Sequence, residues 1–252
     1  EALRDLNYDG TSYNVAIGWQ AGLNVSTGVE NILIGGQAGD ALTTGSRNIV
    51  IGTYALSNEN EHGNNVAIGW KALQDQDAGV DAYNIAVGYE AGKEVTTGIE
   101  NTIIGGLADD ALTTGGENIA IGFEALSADT TGSRSVAIGT EVLKNQLIDG
   151  NTFNVAVGYK AGNQVSTGVN NTLIGGLAGD ALTTGIRNVA VGYNALGSED
   201  TGNRNIAIGD SALANLNYDG NGYNVAVGHD AGKEVTTGIR NTIMGGLAGD
   251  AL

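Results

Sequence analysis

A five-residue signature, Asn-x-x-(Ile/Val)-Gly, begins at Asn14, Asn31, Asn48, Asn65, Asn84, Asn101, Asn118, Ser135, Asn154, Asn171, Asn188, Asn205, Asn224 and Asn241; Ser135 replaces Asn in one copy and Met244 replaces Ile/Val in the last. The intervals run 17, 17, 17 and 19 residues and then start again, so the full period is 70. It divides the chain into super-repeats 14–83, 84–153, 154–223 and a partial 224–252. Residues 1–13 (EALRDLNYDGTSY) repeat 211–223 (SALANLNYDGNGY), so 1–252 reads as a single continuous repeat solenoid, expected to be a slice of a longer fibre. A 17-residue unit cannot enclose a core of its own and buries its apolar face only by stacking on its neighbours. The fold class expected is therefore all-β: a parallel β-roll or β-solenoid of about fourteen 17–19-residue rungs. At the usual interstrand spacing it would be a rod of roughly 65–70 Å.

Each rung has an internal grammar. In NVAIG, Val15 and Ile17 alternate with Asn14, Ala16 and Gly18, a two-residue period that puts Val and Ile on one strand face. The expectation is that Val15, Ile17, Val155 and Val157 point into the coil and that Asn side chains stack in a hydrogen-bonded column. The signature Gly suggests a corner with positive φ or close backbone approach. Three residues on, Ala recurs (Ala21, Ala38, Ala55, with Val142 the exception), as a narrow core would want. The rung then reads as strand, glycine corner, second short strand and Thr-Thr-Gly turn.

These motifs, NVAIG, NIAVG, SVAIG and NVAVG followed by a small-residue segment and a Gly turn, resemble the head repeats of trimeric autotransporter adhesins. The longer stretch NVAVGYKAGNQVSTGVNNTLIGGLAGDALTTG (154–185) is similar to repeats of bacteriophage tail fibres and related surface fibres. The resemblance implies a left-handed parallel β-roll assembled as a trimer, serving as shaft or adhesive head, and an extracellular, cell-surface or virion location. The 17/17/17/19 spacing is longer than the adhesin head period. The opposite strand face, with Ala16, Leu33, Ile103, Leu173 and Ile243, is also apolar, which predicts packing against other chains through that face; the resemblance implies that they form a homotrimer.

Composition removes several function classes. With 28 acidic against 11 basic side chains, net −17, a phosphate-backbone partner is disfavoured. No apolar run approaches the 18 or so residues of a membrane span. Without cysteine there is no disulfide framework, thiolate metal site or thiol nucleophile. No catalytic constellation recurs: His62 and His229 occupy unrelated rung positions and read as solvated residues. Net charge drifts between super-repeats, from seven acids against two bases in 14–83 to ten against three in 84–153 and five against three in 154–223, as solvated faces do. The expectation is no enzyme and no cofactor. Weak Ca²⁺ candidates lie in the 19-residue connections, at Asp9, Asp77, Asp81, Asp149 and Asp219, where Asp-Gly is also ordinary turn chemistry.

The function these features favour is a non-enzymatic structural shaft segment of an extracellular or virion fibre, its receptor-binding part lying elsewhere. The alternatives are an adhesive segment that itself binds glycan or mineral, using aromatics after the signature Gly (Trp19, Trp70, Tyr89, Phe123, Tyr159, Tyr193), and an ice-binding solenoid presenting Thr hydroxyls. Gly36, Gly106, Gly176 and Gly246 interrupt the aromatic stripe, and Thr-Thr pairs do not give the Thr-x-Thr face that ice would want.

Overall fold

A computed structural model describes residues 1–251. The chain forms two compact units, one of Glu1–Phe123 with Thr130–Gly132, the other of Glu124–Asp129 with the chain from Ser133 onward. Each unit is a parallel β-solenoid with seven three-residue strands, one per coil. In the first unit they run from Val15–Ile17 to Ile119–Ile121, and in the second from Val136–Ile138 to Thr242–Met244. No helix occurs among the described residues. Register is strict: Val155, Ala156 and Val157 pair with Thr172, Leu173 and Ile174, and these in turn with Val189, Ala190 and Val191.

The coil that opens at Asn154 shows how the rest of the perimeter is built. After the strand come three overlapping i→i+3 turns, closed by the N–H groups of Ala161, Asn163 and Val165 on the carbonyls of Gly158, Lys160 and Gly162. The second short strand read from the sequence is absent, because Lys160 and Gly162 adopt φ of 56° and 59° and curl the chain. A left-handed conformation costs a non-Gly residue on the order of 1–2 kcal/mol. Hydrogen bonds between coils offset it: Lys160 N–H donates to Thr140 O, Gly162 N–H to Ala178 O and Gln164 N–H to Asp180 O, all at 3.0–3.1 Å. The turns are thus laddered like the strands. The Ser-Thr-Gly corner closes similarly, with the N–H groups of Ser166, Thr167 and Gly168 converging on Thr183 O.

The signature glycine meets both conditions read from the sequence. Gly158 has φ of 131°, and a Cβ there would lie 2.6 Å from the carbonyl carbon and oxygen of Gly175 in the next coil.

The two strand faces are the reverse of the sequence expectation. Leu33, Ala86, Ile103, Ala156, Leu173 and Ala207 are fully buried inside their own coils, and Ile243 nearly so. Ala16 is half-buried in the same position. Val15, Ile17, Val155 and Val157 point outward, with Ile17 60% exposed. The reason is volume and polarity together. The interior is lined on its other sides by Ala161 and Ala178 and by leucines such as Leu143 and Leu182, leaving room for Ala with one Leu or Ile in four coils and, once, Val50. The signature Asn, two residues before that Ala, shares its face and needs the inward hydrogen bonds.

Those bonds define the column. Asn154 Nδ2 donates to Gly168 O at 2.8 Å, and its Oδ1 accepts the backbone N–H of Asn171 at 2.9 Å. Asn171, Asn188 and Asn205 repeat the acceptor half on Asn188, Asn205 and Asn224 at 2.9–3.3 Å. The column therefore runs mainly from amide to backbone, pinning the turn glycine to the strand start, with amide-to-amide bonds added at a few rungs such as Asn48 to Asn31.

Candidate functional site

Each unit presents its outward strand face as a candidate surface. In the first unit Ile49, Ile85 and Ile119 stand 36–39% exposed, and in the second Ile174 and Ile206 do the same. Beside it runs the residue after the signature Gly, with Tyr89, Phe123, Tyr159 and Tyr193 each about half exposed. Trp70 and Tyr89, on successive coils, stack with centroids 5.0 Å apart and an 18° interplanar angle, and Lys71 Nζ lies 4.5 Å above the Trp70 ring. The first Thr or Ser of the pair turns its hydroxyl to the next coil at 26, 43, 96, 113, 166 and 183; Ser166 Oγ, for example, donates to Thr183 O and Thr183 Oγ1 to Asp200 O.

A second feature lies inside. Glu59, Asp129 and Glu199 are buried carboxyls 70 residues apart. Glu59 Oε1 accepts the N–H groups of Asn60 and His62, and Gln76 Nε2 donates to Oε2 at 3.2 Å. Gln146 Nε2 donates likewise to Asp129 at 2.5 Å and also to Ser135 Oγ. Each Gln accepts Nδ2 of the following signature Asn, Asn84 or Asn154, at 2.9 Å, so acid, amide and column form one polar cluster. In the third super-repeat Leu216 stands where Gln76 and Gln146 stand. Glu199 there accepts backbone N–H groups, those of Gly202 and Tyr218 among them, without a Gln amide, and burial pushes its carboxyl above the ordinary range. The sequence reading of acids as drifting solvated charges missed these three. The available signal was an acid kept six residues before the signature in every complete super-repeat.

His62 is not a freely solvated residue: its side chain is 24% exposed and Nδ1 lies 3.4 Å from Glu59 Oε1. His229 is exposed, as expected, and sits 3.6 Å from Asp230 Oδ2. The Ca²⁺ candidates Asp9, Asp77, Asp81, Asp149 and Asp219 are all on exposed turns. Asp81 accepts the Gly63 N–H and Asp219 the Thr201 hydroxyl, so both act as ties between coils. Among the described residues one group of three His, Asp or Glu side chains draws close enough to hold an ion, and it contains none of these five. An open hollow of about 280 Å³ beside Val235–Gly238 and Asn241 holds no ionisable side chain.

Compared with known proteins, the chain matches no family model and no curated sequence. No helix is long and apolar enough to cross a membrane among the described residues.

Proposed function

We propose that the chain is a structural shaft segment of an extracellular, cell-surface or virion fibre, non-enzymatic, and built as a homotrimer of β-solenoids. The observation that carries this reading is the outward Val/Ile face. A monomer in water keeps exposed apolar patches to a few hundred Å². The occupant that fits is another copy of the chain, because only a surface with the same coil spacing meets the row in register. Its lack of charge lets two strongly acidic chains approach along it. Three copies, rather than two, is the number that the resemblance to adhesin and tail-fibre repeats supplies. The trimer contact thus moves from the Ala16/Leu33/Ile103/Leu173/Ile243 positions, which are interior, to the Val/Ile positions.

The double variant Ile85→Lys/Ile206→Lys tests the reading, with far-UV circular dichroism as the check on folding. Assemblies that fall apart into folded single chains support it; assemblies of unchanged size contradict it. A second reading, adhesion to glycan, is favoured by the exposed aromatic row, but the Trp70–Tyr89 stack occupies one face of each ring. An ice-binding role finds the first hydroxyl of the pair already bonded between coils at 166 and 183.

A further inference from the structure

We propose that Asp210, His229 and Asp230 form a site for a divalent transition-metal ion, with Zn²⁺ the best chemical fit. Their ligand atoms, one per residue, all lie within 4.8 Å of one another. Ligands at 2.0–2.2 Å in a tetrahedral Zn²⁺ site stand about 3.3 Å apart, so small side-chain rotations close the set. One imidazole with two carboxylates suits Zn²⁺ rather than Ca²⁺ or Mg²⁺, which take oxygen ligands alone.

The backbone fixes the juxtaposition. Strands Ile206–Ile208 and Val225–Val227 pair in register, and Asp210 and His229 are the second residues after each. Asp230 N–H donates to Asp210 O at 2.9 Å, tying the two coils together at the site itself. The carboxylates are held as well: Ser211 Oγ donates to Asp210 Oδ1 at 2.9 Å, and Lys233 Nζ lies 3.3 Å from Asp230 Oδ1. With Oδ1 so engaged, Asp230 Oδ2 is the atom facing His229 Nδ1. The Lys233 charge lowers affinity for a cation, and the net charge of −17 acts the other way. His229 and Asp210 are exposed, so water completes the coordination and the ion reaches the site without opening the coil.

A second line of reasoning comes from the repeat. At the place of Asp210 the other super-repeats have Trp70 and Thr140, and at that of His229 they have Trp19, Tyr89 and Tyr159. The counterparts of Asp230 are Gln20, Glu90 and Lys160. Three ligating groups thus coincide in one pair of coils, where elsewhere at most one is present.

The same comparison supplies substitutions the scaffold already accommodates, His229→Tyr and Asp210→Thr. Calorimetric titration of the tag-free chain with ZnCl₂ is expected to give one Zn²⁺ per chain, with affinity at least tenfold weaker in either variant and unchanged in His62→Ala. Co²⁺ should develop visible absorption in the parent chain and lose it in His229→Tyr. Absence of Zn²⁺ binding, or equal binding by His229→Tyr with circular dichroism intact, would overturn the proposal. So would Ca²⁺ binding at the site as tightly as Zn²⁺, since that ion has no use for the imidazole.

Discussion

Gln76 reaches across one coil to donate its amide to the buried carboxylate of Glu59 at 3.2 Å, and Gln146 does the same for Asp129. Leu216 leaves Glu199 without that donor. Leu216→Gln should therefore stabilise the chain at pH 7 by about 1–2 kcal/mol, the scale of a hydrogen bond to a charged group after the loss of some apolar packing. The sign of its pH dependence follows from burial, which raises the folded-state pKa of Glu199. The folded protein then holds a proton that the unfolded chain releases, so this group's contribution is greatest below the ordinary carboxylate range and is lost as pH rises through the raised value. The difference between Leu216→Gln and the parent, read from urea midpoints, should be largest at neutral pH and shrink on acidification. A constant difference, or a destabilised variant, would count against this account.

Asn171 is a stricter case, because both of its amide atoms are committed. Asn171→Ala strands the Gly185 carbonyl and the Asn188 N–H inside the coil. At roughly 1–3 kcal/mol for each buried group left unpaired, a loss of about 2–6 kcal/mol is expected in denaturant unfolding. A loss below 1 kcal/mol would show that water or a neighbouring amide replaces it.

The period, the glycine corners and the parallel stacking were legible in the sequence because each repeats with fixed spacing. Which strand face turned inward was not, since Val155 and Val157 on one side and Ala156 and Leu173 on the other are all apolar and periodicity cannot rank them. What decides is the width of the coil, which Ala161 and Ala178 already hinted at, and the presence of Asn154 on the Ala face. The buried acids were legible at 70-residue spacing only to a reader comparing single positions rather than net charge. The juxtaposition of Asp210 and His229 needed the coil register, because 19 residues separate them.

Glycine substitutions separate close approach from mere conformational preference. Gly175 has φ of 135° and no room, with a Cβ falling 2.4 Å from Gly192 O, whereas Gly79 has φ of 70° and open space. Gly175→Ala should cost roughly 4 kcal/mol or more, and Gly79→Ala only about 1–2 kcal/mol. Thermal melts of the two variants side by side would reveal any failure of that order.

Inward and outward strand positions should respond oppositely to charge. Leu173→Asp places a carboxylate in a fully buried apolar site and should unfold its coils. Ile208→Asp, at a side chain 38% exposed, should leave circular dichroism and the single-chain fold unchanged. The reverse pattern would restore the strand orientation expected from the sequence.

Sedimentation equilibrium of the tag-free chain at micromolar concentration tests the central claim, that the outward Val/Ile face joins copies of this chain. The account predicts a single species at three times the 25.5 kDa of one chain, reduced to one chain by Ile85→Lys/Ile206→Lys. A stable, soluble 25.5 kDa monomer with the face fully exposed would contradict it.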